Sequence, residues 1–231
     1  LHSYVTQAAI PMPQRVESYN LMHRLGPAAM FTADFLAAVD TDEPGRLLER
    51  VYHQAKAQHV VNRMLALDFD FTLADNDLPK VTRMAWLAGV EARFPMLDDE
   101  LVEFSLRLEP RLKVRGTQLR YFFKESLRGF LPDTIITKSK HGFGLPFGPW
   151  LRTHKPLQAL VFDSLAGLKE RRIFRADFID RCTDTYLHNH PAYYGAMVWV
   201  MMMLELWFRH HVDTAGDGRP APSARSRHTS A

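Results

Sequence analysis

Apolar residues recur at helical spacing along most of this chain, and this pattern constrains the fold more than any other feature. In segments 46–55 and 59–67 the apolar side chains fall three and four residues apart, which places them on one face of a helix. The same spacing predicts helices over 156–168, 176–187 and 193–210. No segment shows a convincing strand–helix–strand unit of a parallel sheet. The sequence therefore predicts a mainly α fold.

Capping residues and prolines predict where several helices begin and end. Thr32 has the side-chain oxygen that an N-cap requires, so a helix is expected over 33–39. Asp77 is expected to cap another helix, with Pro79 in its first turn. That helix must end by residue 94, because Pro95 follows and restricts the residue before it.

Three further segments complete this interpretation. Phe69, Phe71 and Leu73 alternate with polar residues, which fits either a brief strand or a continuation of the preceding helix. The acidic segment 98–100 places negative charge where the N-terminus of a helix favours it. Segment 118–128 has an apolar helical face and is followed by a glycine, so it is predicted to be a helix.

Length and composition are typical of a globular protein. The 231 residues are 46% hydrophobic and 24% charged. We predict one helical portion over 1–211 and a disordered tail over 212–231, because the tail is rich in Gly, Pro, Ser, Ala and Arg. The net charge of +3 is too small to indicate a nucleic-acid partner, and basic and acidic residues are interspersed.

The single cysteine, Cys182, excludes a disulfide within the chain and favours a reducing compartment, so a cytoplasmic location is predicted. It lies in a helical pattern, where a buried and inert thiol is expected. The most apolar run, 196–208, contains Glu205 and is shorter than the roughly 20 residues of a membrane-spanning helix. No membrane partner is therefore predicted.

A glycine-rich loop within 136–150 carries the first candidate site residues. Lys138, Lys140 and His141 run directly into Gly142, which begins a Gly-Phe-Gly sequence. Cations beside free backbone N–H groups suit a phosphate or a developing anion. The alternative is a surface loop with solvated lysines, which is the commoner case for such sequences.

A charged corner at 89–98 carries the second candidate. It places Glu91, Arg93 and Asp98 around a helix-to-helix turn that contains Pro95. One interpretation is a salt-bridged structural corner. In the other, the Glu91 carboxylate orients the loop lysine or accepts a proton.

The histidines do not indicate a metal site. His188 and His190 are two residues apart, whereas ligands on one helix face are four apart, and no acidic or cysteine cluster adjoins them. No metal ligand is predicted anywhere in the sequence.

Several of these motifs, taken in order, resemble the asparagine synthetase family, and specifically the C-terminal part of its ATP-dependent synthetase domain. The similarity is greatest to the family members associated with exopolysaccharide or exosortase gene sets. The matching segments are 75–84, 89–98, 124–133, 138–146 and 203–207. By this resemblance the chain is the helical C-terminal portion of an α/β domain of the PP-loop, or adenine-nucleotide α-hydrolase-like, type, with its parallel sheet largely missing.

The resemblance implies an enzyme that adenylates a carboxylate, aspartate or a related acid, and then forms an amide with glutamine-derived ammonia. Lys140 is the expected catalytic cation, and Lys138, His141 and Gly142 are expected beside the phosphates. Glu91 is expected to act as an acid/base or orienting group. ATP and Mg²⁺ are the implied cofactors, although no Mg²⁺ ligands are identifiable in this sequence.

The departures from the family pattern are large. The Ser-Gly-Gly-x-Asp-Ser pyrophosphate loop, the Gly-Glu-Gly-x-Asp-Glu segment and the glutamine-hydrolysing domain are absent from these 231 residues, and Thr82 replaces the usual aspartate. We therefore interpret the chain as a fragment whose expected partners are the missing portions, with a homodimer left open. Alone it is expected to bind ATP poorly and to make no product. The alternative is a non-catalytic helical scaffold or interaction module that retains the family fold.

Overall fold

The structure is a computed structural model that describes residues 2–139 and 146–214. Helices dominate these residues. The described part of the chain contains one small sheet, in which β1 (Val114–Arg115) pairs antiparallel with β2 (Gln118–Leu119). The prediction of a mainly α fold is confirmed. Among the helices described, none is long and apolar enough to cross a membrane.

Sixteen α-helices lie within the described ranges. The first eight are α1 (His2–Ala8), α2 (Leu21–Leu25), α3 (Pro27–Met30), α4 (Ala33–Ala38), α5 (Glu43–Gln54), α6 (Val60–Leu67), α7 (Leu78–Leu87) and α8 (Asp99–Arg107). The other eight are α9 (Pro110–Lys113), α10 (Tyr121–Ser126), α11 (Asp133–Ile136), α12 (Phe147–Thr153), α13 (Lys155–Glu170), α14 (Ala176–Arg181), α15 (Leu187–Asn189) and α16 (Pro191–Phe208).

Short 3₁₀ and π segments lie between or after these helices. The 3₁₀ segments are Gln14–Tyr19 and Pro95–Leu97. The π-helical segments are Asp68–Asp77, Cys182–Tyr186 and Arg209–Asp213. The segment Arg209–Asp213 continues α16 into the start of the predicted tail. Residues 215–231 of that tail lie outside the described residues.

Contacts divide the chain into two compact units. The first unit comprises 1–20 and 42–142, and the second comprises 21–41 and 143–231. The predicted single helical portion over 1–211 stays a prediction.

The predicted helix cap at Thr32 is confirmed, and Asp98 forms a second cap at the acidic segment 98–100. The Thr32 hydroxyl accepts a hydrogen bond from the backbone N–H of Phe35 at 3.3 Å, at the start of α4. The Asp98 carboxylate accepts hydrogen bonds from the N–H groups of Glu100 and Leu101, at 3.1 and 3.4 Å, at the start of α8. Both caps depend on local sequence alone, which explains why they were predictable.

The predicted capping role of Asp77 is wrong. The π-helical segment Asp68–Asp77 joins α6 to α7, so the backbone at Asp77 is already helical and its side chain makes no cap. Its carboxylate accepts a hydrogen bond from Lys80 Nζ at 2.7 Å instead. The sequence allowed either a brief strand or a continued helix for the segment with Phe69, Phe71 and Leu73. In the structure this segment continues the helix.

The end of α7 lies within the predicted limit, whereas the start of α10 differs from the prediction. Helix α7 ends at Leu87, before the predicted limit of residue 94, because Gly89 adopts a left-handed φ of 71° and turns the chain. Helix α10 begins at Tyr121 rather than residue 118, because Gln118 and Leu119 pair with β1. Pairing across this short hairpin overrides the helical spacing.

The two units have separate cores. In the first unit, Leu48, Tyr52 and Leu67 are buried between α5 and the end of α6. In the second unit, a larger core forms where α13 and α14 pack near α16. Its most deeply buried side chains are Met30, Val161, Leu168, Phe178, Ile179, Cys182, Val198 and Met201. The buried position of Cys182 confirms the expectation from the sequence.

Helices α12 and α16 approach closely at two glycines. The backbone of Gly148 lies so near α16 that an added Cβ would overlap the carbonyl of Pro191. A Cβ at Gly195 would lie 3.0 Å from the backbone of Gly148. Because no side chain larger than hydrogen fits between these backbones, the glycines permit the contact between the helices.

Candidate functional site

An open pocket of about 530 Å³ lies in the first unit, at the corner between α7 and α8. Its walls are formed by residues of α7, of the extended segment that follows it and of the 3₁₀ turn. These residues are Leu78, Thr82, Glu91, Ala92, Arg93, Phe94 and Leu97. The pocket therefore coincides with the charged corner that the sequence singled out.

Local structure places each wall of this pocket. Leu78 and Thr82 are four residues apart on α7, so both side chains face the same side of the helix. The left-handed turn at Gly89 reverses the chain, and a hydrogen bond from Val90 N to Ala85 O at 2.9 Å holds that turn. The turn at Pro95–Leu97 then leads into α8.

Glu91 and Arg93 form an ion pair on the rim of the pocket. A guanidinium nitrogen of Arg93 lies 3.1 Å from Glu91 Oε1, and the two side chains are 80% and 75% exposed. The corner is therefore salt-bridged, as one interpretation of the sequence held. An ion pair this exposed contributes only about 0–1 kcal/mol to stability. Because the Glu91 side chain is exposed, its carboxylate is also accessible to a ligand.

Thr82 contributes a hydroxyl whose hydrogen is directed at its own helix. Its Oγ1 donates to the carbonyl oxygen of Leu78 at 2.7 Å. A hydroxyl in this arrangement does not replace the negative charge of the aspartate that the family pattern has at this position. Asp98 does not line the pocket and caps α8, as described above.

The residues of the glycine-rich loop fall on both sides of the described boundary. Lys138 follows α11 and is exposed, and within the described ranges no carboxylate forms an ion pair with it. Lys140, His141 and Gly142 lie outside the described residues. The structure thus brings Glu91, Arg93 and Thr82 together, and the predicted roles of the loop residues stay predictions.

The apolar wall of the pocket was missed by sequence reasoning. Leu78, Phe94 and Leu97 line the same pocket as the charged pair and would exclude water from one side of a bound ligand. The four-residue spacing between Leu78 and Thr82 is a signal that could have placed Leu78 beside the site.

Metal-ligating side chains are not clustered in threes among the described residues. In 2–139 and 146–214, no three His, Cys, Asp or Glu side chains are grouped closely enough to hold a metal ion. Mg²⁺ requires oxygen ligands, commonly one or two carboxylates together with substrate phosphates. None of the described residues is assigned as a ligand of Mg²⁺.

Comparison with known proteins identifies the family. The sequence model of the asparagine synthase family matches residues 3–209. This chain belongs to the asparagine synthase family. The match covers the pocket, the glycine-rich loop and all the described residues except 2 and 210–214.

Individual relatives are similar at low identity. A Mycobacterium tuberculosis protein with the name "Putative asparagine synthetase (glutamine-hydrolyzing)" is 26% identical over 162 residues, which cover 68% of this chain and 24% of that protein. Asparagine synthetase (glutamine-hydrolyzing) 1 of Bacillus subtilis is 19% identical over 158 residues, 66% of this chain and 24% of its own length. Asparagine synthetase B (glutamine-hydrolyzing) of Escherichia coli is 28% identical over 106 residues, 44% of this chain and 18% of its own length.

The chain therefore spans about a quarter of the length of the first two of these relatives. No solved structure matches the chain. The predicted similarity to the members associated with exopolysaccharide or exosortase gene sets stays a prediction.

Proposed function

We propose that this chain is the C-terminal part of the ATP-dependent synthetase domain of a glutamine-dependent amidotransferase, a carbon–nitrogen ligase. The observation that carries the proposal is the family match over residues 3–209, which includes the pocket where Glu91, Arg93 and Thr82 converge. The substrates are ATP and a carboxylate, aspartate or a related acid. The ammonia comes from glutamine, as the names of the relatives state for those proteins.

Glu91 is the acid/base group of the proposed site. Its carboxylate lies on the pocket rim, is accessible, and is held 3.1 Å from the Arg93 guanidinium. A positioned carboxylate can accept the proton that an attacking amine must lose when it forms an amide. Arg93 keeps that carboxylate in one orientation and acts as a positioning residue.

Lys140 is the proposed electrostatic catalyst. Phosphoryl chemistry depends on positioning and on neutralising charge as pyrophosphate leaves, and a lysine ammonium supplies that charge. Lys138, His141 and Gly142 are proposed to bind the phosphates beside it. The exposed ammonium of Lys138, without an ionic partner among the described residues, is consistent with that role.

The chain by itself is proposed to bind ATP weakly and to release no product. The pyrophosphate loop and the acidic segment of the family pattern are absent from its sequence. A chain that supplies only one wall of the nucleotide site cannot enclose ATP. Robust ATP-dependent pyrophosphate release by the chain alone would show that this part of the proposal is wrong.

The test of Lys140 uses the assembled enzyme, that is, this chain together with a pyrophosphate-loop portion of a synthetase domain. Carboxylate-dependent exchange of ATP with labelled pyrophosphate measures the adenylation step. We expect Lys140→Ala to lower the exchange rate by about 10²–10³-fold, the effect of removing one electrostatic stabiliser. Lys155→Ala, an exposed lysine on α13, is the matched control. Unchanged exchange by Lys140→Ala would favour the non-catalytic scaffold.

A separate measurement assigns the role of Glu91. We expect Glu91→Gln to lower amide formation by about 10²-fold or more while leaving pyrophosphate exchange nearly intact, because the proton is lost after adenylation. Glu100→Gln, an exposed glutamate at the start of α8, is the control. Wild-type amide formation by Glu91→Gln would exclude the acid/base role, and an equal loss of both activities would indicate that Glu91 orients the lysine.

A further inference from the structure

The pocket between α7 and α8 has mainly apolar walls. Four of its seven lining residues are apolar, and each of the four is half-buried. They are Leu78, Ala92, Phe94 and Leu97. The polar lining residues, by contrast, are exposed. A ligand with an apolar body therefore finds surface here on which to bury it.

The charged side chains of this pocket neutralise each other. Among the described residues that line it, Arg93 is the only lysine or arginine, and its guanidinium lies 3.1 Å from Glu91 Oε1. The pair therefore has no net charge. On the neighbouring surface of α7, Lys80 does not line the pocket, and Asp77 neutralises its ammonium at 2.7 Å. A second anionic group on a ligand would meet the Glu91 carboxylate with no unpaired cation to offset the repulsion.

The hydroxyl of Thr82 does not supply the missing donor. Its Oγ1 donates to the carbonyl oxygen of Leu78 at 2.7 Å and lies 3.3 Å from that of Pro79, so its hydrogen is used within α7. An ionised carboxylate only accepts hydrogen bonds, and this hydroxyl offers it lone pairs. Because a charge placed against apolar walls without a partner is costly, the pocket disfavours a body that carries one.

The role proposed for Glu91 fixes where the acid lies. A general base must be about 2.6–3.2 Å from the atom whose proton it accepts. That atom is the attacking nitrogen, which becomes bonded to the acyl carbon of the acid. The remainder of the acid therefore lies close to Glu91, in the pocket that Leu78, Phe94 and Leu97 line.

We propose that the carboxylate substrate is a monocarboxylic acid with an uncharged, mainly apolar body, rather than aspartate. Leu78, Phe94 and Leu97 bind the body, and the ion pair of Glu91 with Arg93 lies at the reacting end. This inference rests on the proposed function and narrows its substrate class. It depends on the charges and apolar walls of the pocket, and not on the cations of the glycine-rich loop.

The first test compares acids in the assembled enzyme, with carboxylate-dependent exchange of ATP with labelled pyrophosphate as the readout. Isocaproate and succinate form a matched pair, because an isopropyl group in one replaces a carboxylate of similar shape in the other. We expect kcat/KM for isocaproate to exceed the values for succinate and for aspartate by about tenfold or more. From acetate through propionate and butyrate to pentanoate, kcat/KM should rise roughly fourfold with each methylene that the pocket buries.

A charge-gain variant tests whether this pocket sets the preference. Thr82→Lys adds a cation at an exposed position that lines the pocket. It should raise kcat/KM for succinate relative to isocaproate by about fivefold, the effect of one exposed ion pair. The matched control is Thr72→Lys, which adds the same charge at an exposed threonine outside the pocket and should leave the ratio unchanged. Circular dichroism of both variants checks folding, and the comparison of acids with the wild-type enzyme needs no variant.

Each contrary result has a distinct meaning. Equal or higher kcat/KM for aspartate or succinate, or no increase along the series of acids, would overturn this inference and leave the proposed adenylation standing. Equal shifts of the ratio in the two lysine variants would overturn the assignment of the preference to this pocket. No exchange with any acid would overturn the proposed function itself, and this inference with it.

Discussion

Glu205 of α16 is buried and accepts hydrogen bonds from Arg171, which lies 34 residues earlier in the chain. Arg209 donates to the same carboxylate from one helical turn away, with its Nε 2.8 Å from Glu205 Oε1. Each arginine also binds a second carboxylate, Asp213 for Arg171 and Asp163 for Arg209. These five side chains stabilise the end of α16 against α13 and the turn that follows it.

The pKa values in this cluster follow from the pairing. Burial of Glu205 opposes its ionisation, but the hydrogen bonds from Arg171 and Arg209 outweigh burial and lower its pKa. The hydrogen bond to Asp213, and then the one to Glu205, raise the pKa of Arg171. The pairing therefore favours the charged forms of Glu205, Asp213, Arg171 and Arg209 at neutral pH.

We expect Glu205→Gln to lower the free energy of unfolding by about 3 kcal/mol at neutral pH, because it breaks a buried ion pair. Breaking a buried ion pair typically costs about 3–5 kcal/mol, and we expect the low end because both arginines keep a second carboxylate. The folded-state pKa of Glu205 lies below its ordinary value of 4.5, so its stabilisation is present above pH 4.5 and is lost as the pH falls through the folded-state pKa. Urea denaturation of both proteins as a function of pH measures this, and a difference that grows in acid would contradict it.

We expect Gly148→Ala to destabilise the second unit by roughly 3 kcal/mol or more, because the added methyl overlaps the carbonyl of Pro191. The control is Gly45→Ala in α5, where nothing lies near the added Cβ and φ is ordinary. That substitution should stabilise the chain by about 0.5–1 kcal/mol. Melting temperatures of the two variants should move in opposite directions, and similar shifts would argue against the close contact between α12 and α16.

Two methionines on α16 provide a matched test of the core. Met201 is fully buried, whereas Met203 is 43% exposed. We expect Met201→Ala to cost about 2–5 kcal/mol of unfolding free energy, because it removes packing and leaves a cavity. Met203→Ala should cost about 0.5 kcal/mol or less, as is usual for surface positions. Equal losses in denaturant titrations would show that the two faces of α16 are buried to the same degree.

We expect the Cys182 thiol to resist labelling in the folded chain. Burial raises its pKa to about 12, and the side chain is inaccessible to solvent. The thiolate that reacts with a disulfide reagent is therefore scarce at pH 8. Absorbance at pH 8 should show labelling only after denaturant is added, and rapid labelling of the native chain would place Cys182 at the surface.

Local signals in the sequence were reliable where a structure depends on neighbouring residues. Thr32 and Asp98 cap their helices because the N–H groups that they accept from lie two or three residues away. Asp77 also precedes a predicted helix but does not cap it. The π-helical segment before it continues into α7, so no helix begins at this residue. Helix α10 begins later than predicted because Leu119 pairs with Val114 across a hairpin.

The sequence predicted individual charged residues of the candidate site but not which distant residues complete the pocket. The sequence identified Glu91 and Arg93 as a charged pair, and their proximity follows from a separation of two residues. It did not identify Leu78 as a wall of the same pocket, because that contact depends on the left-handed turn at Gly89 that folds the segment back.

The sequence by itself determined the mainly α character of this protein and the motifs that assign it to the asparagine synthase family, because periodicity and short motifs are local properties of the chain. Only the tertiary structure decided which apolar residues are buried. Met201 and Val81 are both apolar residues of helices, yet Met201 lies in the core and Val81 is exposed. Burial depends on what packs against a helix, and residues distant in the sequence supply that packing.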